Sequence, residues 1–153
     1  MRSTNSPALG LLLAALLAAF LINRAQAQAA KEPETVDWIR LRGLNYKTGK
    51  INADAKALDK ARIRILGYMV PFEDEDKEVT EFLLVPNMAC IHVPAPPQNQ
   101  IILVQMAGGK KAPAALGKTF WVEGLMAIET SKSAYAVASY RLSATKVQLA
   151  KEE

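Results

Sequence analysis

The sequence predicts a mainly β protein: a small five-stranded OB-like barrel preceded by a signal peptide and a short N-terminal segment. Three observations predict it. The chain opens with an apolar run, segments after Ala61 alternate apolar and polar residues with the period of a half-buried strand, and glycines and prolines separate these segments. The long first and last strands favour a barrel that closes on itself, with a sandwich as the alternative.

Residues 1–27 are predicted to be a cleavable signal peptide. Arg2 precedes an unbroken apolar run over residues 8–22, which is shorter than the roughly 20 residues that span a bilayer. Ala25 and Ala27 then form the small-x-small pattern that precedes a signal peptidase cut, with Ala30 as a second choice. The alternative is an uncleaved membrane anchor. We expect no membrane span after cleavage, and a mature chain that works outside the cytoplasm.

Residues 28–60 are predicted to be a leader followed by an N-terminal docking segment. Residues 28–35 have the composition of a flexible leader. A short apolar patch follows and is expected to dock onto the domain; its members are Val36, Trp38, Ile39 and Leu41. Residues 54–60 are expected to form a turn of helix that Asn52 or Asp54 caps.

Residues 61–149 are predicted to form the barrel domain. Its strands are expected at residues 61–70, 79–85, 101–106, 119–126 and 134–147, from their apolar alternation. Pro71 is expected to end the first strand, and an acidic turn over residues 73–77 follows it. Gly67, inside the first strand, predicts a bulge or a tight bend.

Charge and cysteine content limit the function classes. The formal net charge is +4, and Arg2 and Arg24 leave with the signal peptide. The remaining charge is weak and mixed in sign, so nucleic acid is not expected as a partner. Cys90 is the only cysteine of the chain, which excludes an internal disulfide.

Cys90 and His92 are the candidate metal ligands. They lie two residues apart in a loop with four prolines between Pro86 and Asn99, and extended backbone points such residues to one side. Met88 continues the alternation. Thiolate and imidazole suit zinc, and a thioether adds a preference for copper(I). Further ligands would come from a second molecule or from acidic residues nearby, namely Glu73, Asp74, Glu75, Asp76 and Glu81.

Other interpretations of these residues remain open. A structural role is the default for such a pair, with Cys90 packed as a small apolar residue and His92 bound to loop carbonyls. A Cys–His nucleophile is less favoured, because no partner for the imidazole and no oxyanion hole is recognisable, so no enzymatic activity is expected. Trp38 and Trp121 are expected to be anchors in the core or at its edge.

Three blocks of sequence resemble a known family. They are residues 67–71 (Gly-Tyr-Met-Val-Pro), 81–86 (Glu-Phe-Leu-Leu-Val-Pro) and 89–94 (Ala-Cys-Ile-His-Val-Pro), followed by Pro96-Pro97 and Asn99-Gln100. The pattern is similar to the domain-of-unknown-function family 3299. The resemblance implies a Gram-negative periplasmic protein without an established activity, encoded near ABC-type export or metal-homeostasis systems. The family's Cys-x-His-x-Pro element maps onto Cys90, His92 and Pro94, whereas Ala95 interrupts the proline run that members often carry.

Two functions are expected from these observations. The first is a periplasmic, non-enzymatic accessory protein that binds zinc or copper through Cys90 and His92 and serves an ABC-type transporter or metal homeostasis. The second is a structural adaptor of an envelope complex with no metal site. A metal site needs further ligands around a common cavity, whereas an adaptor needs an apolar or proline-lined outer surface.

Overall fold

Along the longer strands, buried side chains alternate with partly exposed ones, so one face of each strand is buried and the other is half-exposed. The computed structural model describes residues 32–73, 77–88 and 96–151, and residues from Pro33 onward form one unit. The strands are β1 (Glu34–Val36), β2 (Arg62–Pro71), β3 (Glu78–Val79), β4 (Glu81–Val85), β5 (Ile102–Met106), β6 (Ala112–Pro113), β7 (Thr119–Lys132) and β8 (Val137–Leu149). The prediction of a mainly β fold is confirmed.

Five of the strands join into a ring. Their order is β2, β4, β5, β8, β7, and β7 pairs again with β2. Strand β2 changes partner along its length: residues 62–68 pair antiparallel with β7, and residues 68–71 pair antiparallel with β4. Strands β5 and β8 are parallel, with Ile102 opposite Tyr140. Strand β1 lies parallel to β2 as an extra strand outside the ring.

The main core contains the inward-facing side chains of the ring strands. Phe82, Phe120 and Tyr140 are its largest fully buried members. Aliphatic residues from the same strands surround them, including Ile63, Ile65, Met69, Leu84, Ile102, Val104, Val122, Met126 and Leu142. Burial of this apolar surface is the main source of stability in a chain whose one cysteine cannot form an internal disulfide.

The N-terminal segment contributes to that core through two short helices. Helix α1 (Trp38–Leu41) is capped by Asp37, and helix α2 (Ala53–Lys56) by Asn52, whose Oδ1 accepts from the Ala55 N–H at 2.9 Å. Leu41 is fully buried, whereas Ile39 is 70% exposed. The expectation that Ile39 docks was wrong, because residues two apart on a helix face opposite sides.

Several strand boundaries differ from the sequence-based expectation. Pro71 is the last residue of β2, where it pairs with Phe82. The expected strand 79–85 divides into β3, which pairs with β6, and β4. Strand β7 runs six residues past Met126, and β8 begins at Val137 because the Ser133 hydroxyl accepts hydrogen bonds from the Tyr135 and Ala136 amides, which forms a turn.

Gly67 does not mark a bulge, since the β2–β7 register is continuous through it. The register shifts lie between β7 and β8 instead, one of them at Glu123/Gly124. A Cβ on Gly124 would lie 2.2 Å from the Ser143 carbonyl oxygen. The glycine that permits a close strand approach at a bulge is therefore Gly124.

The predicted signal peptide lies outside the described residues. Within the part of the chain that the structure describes, none of the helices has the length and apolar content needed to cross a membrane.

Candidate functional site

Of the three predicted metal ligands, Met88 is the one that the described residues include. Met88 is half-buried, close enough to Gly117 that a Cβ there would lie 3.2 Å from Met88 Cε. Cys90 and His92 lie outside the described residues, as do residues 74–76 of the acidic turn. Among residues 32–73, 77–88 and 96–151, no group of three or more His, Cys, Asp and Glu side chains is placed to hold a metal ion.

The loop that carries Cys90 and His92 returns to the ring through a well-anchored turn. Gln100 is 4% exposed, and its Nε2 donates to the Trp38 carbonyl at 3.1 Å while Arg42 Nε donates to its Oε1 at 3.4 Å. Asn99 Nδ2 donates to the Leu44 carbonyl at 2.7 Å. These bonds tie the turn to carbonyls in and just after helix α1, near the helix end where carbonyls have fewer partners within the helix.

A groove of about 390 Å³ lies at the base of this loop. We call it the loop-base groove, and it is lined by Arg42, Tyr46, Pro86, Asn87, Pro96, Pro97, Asn99 and Gln100. Three of these residues are prolines, whose rings present rigid apolar surface without backbone donors. The described part of the loop therefore forms a proline-lined surface.

A second groove, of about 600 Å³, lies between the two tryptophans of the chain. This two-tryptophan groove is lined by Thr35, Val36, Asp37, Trp38, Leu66, Gly67, Tyr68, Pro86, Thr119 and Trp121. Leu66 and Trp121 are cross-strand neighbours on the outer face of β2 and β7. Both tryptophans are half-buried, and the Trp38 indole N–H donates to the Leu66 carbonyl at 2.6 Å.

The floor of this groove depends on Gly67. A Cβ at Gly67 would lie 2.9 Å from Trp38 Cζ2 and 2.8 Å from Leu84 Cγ. Because both distances are shorter than real Cβ contacts, only glycine allows the Trp38 ring to approach the strand this closely. This packing and the hydrogen bond to the Leu66 carbonyl hold the Trp38 indole against β2 at the floor of the groove.

A third groove, of about 580 Å³, continues the surface past Trp121. This basic groove is lined by Arg64, Leu66, Trp121, Gln148, Leu149, Ala150 and Lys151. The Arg64 guanidinium lies over the Trp121 ring, 4.1 Å from its centroid, a cation–π contact that holds both side chains in place. Leu66 and Trp121 line both grooves, so the two form one continuous outer surface.

The sequence did not predict this surface. Trp38 and Trp121 were expected to be core or core-edge anchors, and their half-burial fits a position at the edge of the core. What was missed is that both line one groove, together with Leu66, which is 37% exposed. Trp38 and Trp121 are far apart in the chain. The β1–β2 pairing and the hydrogen bond from Trp38 to Leu66 place one of them on β2, and the β2–β7 register places the other opposite Leu66. The outward alternation of Arg64, Leu66 and Tyr68 was the available signal.

Comparison with known proteins places the chain among uncharacterised relatives. A family model described as "Protein of unknown function (DUF3299)" matches residues 23–149. The crystal structure of a DUF3299 family protein from Pseudomonas aeruginosa PAO1 is similar, with 35% sequence identity and a TM-score of 0.62, covering 80% of this chain and 99% of that one. No curated protein matches the chain.

Proposed function

We propose, from the premise that this chain belongs to the DUF3299 family of proteins of unknown function, that it is an exported, non-enzymatic adaptor of an envelope complex. The two-tryptophan groove is its docking surface. The observation that carries the proposal is the pair of half-buried indoles lining an open groove with a fixed floor. Trp residues in such positions are the side chains that most often dominate binding energy at interfaces.

The surface has the character that an adaptor needs. Leu66 is 37% and Leu149 57% exposed, and both lie on the surface that Trp121 also lines. Large apolar groups clustered on a surface rimmed by polar ones mark interaction sites more often than isolated apolar residues do. The loop-base groove adds a proline-lined surface that meets the two-tryptophan groove at Pro86.

Location and architecture belong to the same proposal. The apolar run and the Ala25/Ala27 pattern support export to the periplasm, where the family resemblance implies an ABC-type transporter complex as the partner. An OB-like barrel is supported by five strands arranged in a ring and by the long strands β2, β7 and β8. Such barrels commonly bind ligands on their outer surface and loops.

Site-specific crosslinking in cells tests the adaptor role. A photo-crosslinking amino acid is placed at Leu66, in the groove, and as a matched control at Thr130, an exposed position on β7 away from it. We expect discrete adducts from position 66 that are absent from position 130 and are lost when Trp121 is also changed to Ala. Equal adducts from both positions, or none from position 66, would contradict the proposal.

Metal binding by Cys90 and His92 is the second candidate function. One observation favours it: the loop that carries them is anchored at its return end by the hydrogen bonds of Asn99 and Gln100. Anchoring one end of a ligand-bearing segment lowers the conformational freedom that the segment loses when a metal binds. Any site there takes zinc or copper(I) through thiolate and imidazole, with Met88 as a further donor.

Metal titration decides this candidate. Zinc and copper(I) are titrated anaerobically into the reduced mature chain, residues 28–153, in competition with a chelator. Stoichiometric binding that both Cys90→Ser and His92→Ala abolish, while Thr130→Ala at an exposed position of β7 keeps it, would establish the site. Binding that is equal in wild type and the two variants would end the metal proposal without affecting the adaptor proposal.

A further inference from the structure

The charges along the groove surface are arranged asymmetrically. Asp37 is the charged side chain that lines the two-tryptophan groove. At the other end, Arg64 and Lys151 line the basic groove. Arg64 Nε lies 3.8 Å and Lys146 Nζ 3.6 Å from the same Glu123 Oε1. One carboxylate therefore faces two cations, and Lys151 adds a third positive charge nearby.

The Arg64 guanidinium is held in a fixed place. Trp121 covers one of its faces, and its Nε atom is buried without a hydrogen-bond acceptor in the described structure. Glu123, which lies beside it, is 16% exposed, whereas the Arg64 side chain is 37% exposed. The guanidinium therefore presents positive charge to solvent at the edge of the Trp121 ring, where an anionic group has access to it.

We infer that this surface binds an extended peptide segment of a partner, in which an apolar stretch adjoins acidic residues. The inference rests on the proposed adaptor function and names its partner chemistry. The apolar stretch lies against Trp38, Leu66 and Trp121, and the acidic residues lie against Arg64 and Lys151. An extended peptide advances about 3.3 Å per residue. It can run along both grooves because Leu66 and Trp121 line each of them.

The chemistry of the lining favours a peptide over a glycan. Leu66 and Leu149 present aliphatic groups, which do not hydrogen-bond to sugar hydroxyls. Aliphatic and proline side chains of a peptide bury apolar area against leucine and indole alike. Among the described residues, Arg64, Lys146 and Lys151 outnumber Glu123 at the basic groove. This adds charge complementarity, which determines orientation and association rate more than affinity.

Peptide display on the intact mature chain tests the inference. Random twelve-residue peptides are selected on wild-type protein and counter-selected on Trp121→Ala. We expect enrichment of sequences with an apolar stretch and acidic residues. The best synthetic peptide should bind Trp121→Ala about tenfold or more weakly. It should bind Arg64→Gln several-fold more weakly with a smaller salt dependence, and Thr130→Ala unchanged.

The outcomes separate this inference from the adaptor function itself. Enriched peptides without acidic residues, or equal affinity for wild type and Arg64→Gln, would overturn the charge assignment. If position 66 gives specific crosslinks in cells but no peptide is enriched, the partner is not an extended peptide of this kind. The adaptor role would still stand. Absence of the crosslinks would remove the adaptor role, on which the inference depends.

Discussion

Gly67 and Trp38 act as a pair. The six-membered part of the indole occupies the space that a side chain on β2 would otherwise fill, and the indole N–H is bound to the carbonyl of Leu66. Packing and a hydrogen bond together therefore hold Trp38, in the N-terminal segment, against strand β2. The two-tryptophan groove exists because a glycine lies at this one position.

Gly67→Ala is expected to lower the free energy of unfolding by about 1–3 kcal/mol, since the new Cβ forces Trp38, Leu84 or both to move. Urea denaturation followed by tryptophan fluorescence measures the change. Thr130→Ala, at an exposed position of β7, is the control, because it removes a side chain without adding an atom to the packed groove. Equal losses in the two variants would contradict the packing argument.

Tyr140 is a second residue whose environment predicts a measurable property. It is fully buried, its hydroxyl donates to the Leu41 carbonyl at 2.8 Å, and burial raises its pKa from 10.0 to about 12. The folded state therefore favours the neutral phenol. Because the unfolded tyrosine ionises near pH 10, the stability linked to this group is present below pH 10 and is lost as the pH rises towards 12.

We expect the free energy of unfolding to fall by about 2–3 kcal/mol over that interval through this one group. Tyr140→Phe should be less stable at neutral pH, because the Leu41 carbonyl loses the shorter of its two hydrogen bonds and keeps the one from the Leu44 amide, and it should lack this component of the alkaline loss. Urea denaturation of both proteins from about pH 8 to 11.5 gives the comparison. Parallel pH profiles for the two proteins would be inconsistent with a buried, neutral Tyr140.

At the scale of elements, helix α1 depends on the ring rather than on itself. It has four residues, and isolated helices of that length are not stable in water. Its Trp38 and Leu41 carbonyls accept hydrogen bonds from Gln100 and Tyr140, which lie far along the chain. The position of Trp38 is therefore coupled to the turn that ends the Cys90 loop.

Gln100→Ala is expected to release α1 while the ring strands remain paired. The part-buried Trp38 carbonyl loses the hydrogen bond from Gln100, which costs about 1 kcal/mol. Hydrogen exchange should accelerate at the Arg42 and Gly43 amides, which bond to carbonyls of α1, and should stay slow in β7. Gln98→Ala, in the same turn, is the control, and acceleration in both variants would refute the specific role of Gln100.

The sequence predicted elements better than it predicted how they meet. Alternation located all five ring strands because period 2 follows from the pleat itself. The predicted strand ends were less accurate. A single strand was expected over residues 79–85, whereas two strands are separated at Thr80, and the first of them, β3, pairs with the distant β6. The two-tryptophan groove was missed for the same reason, since register between β2 and β7 is a long-range property.

On the scale of the whole molecule, the family assignment is confirmed over residues 23–149, while activity and location stay predictions. The metal hypothesis depends on Cys90 and His92, which are outside the described residues. Sequence spacing places two ligands side by side, but the remaining ligands of a site come from other parts of the fold and have no local signature. The adaptor hypothesis has more support, because residues of β2 and β7 line the apolar outer surface that an adaptor needs.

The predicted export signal has a direct test on the whole chain. Cleavage after Ala27 leaves Gln28 as the new N-terminus, because Ala25 and Ala27 are small enough for signal peptidase. We expect the intact mass of protein released from the periplasm to correspond to residues 28–153. A full-length mass in the membrane fraction would instead identify an anchor, and Ala27→Leu should shift the soluble protein toward the second cut or block its release.

The way the ring closes has a consequence for how the chain matures. Arg62 pairs with Leu125 and Ile102 pairs with Tyr140, so closure joins residues that are distant in sequence, and β8 contacts two of the other ring strands. When a chain emerges N-terminus first, the inner faces of β2, β4 and β5 stay exposed to solvent until β8 has also emerged and can pair. Topologies with such distant pairings fold slowly and expose apolar surface meanwhile. Newly emerged chains therefore pass through an aggregation-sensitive interval during which a holding chaperone would improve the yield.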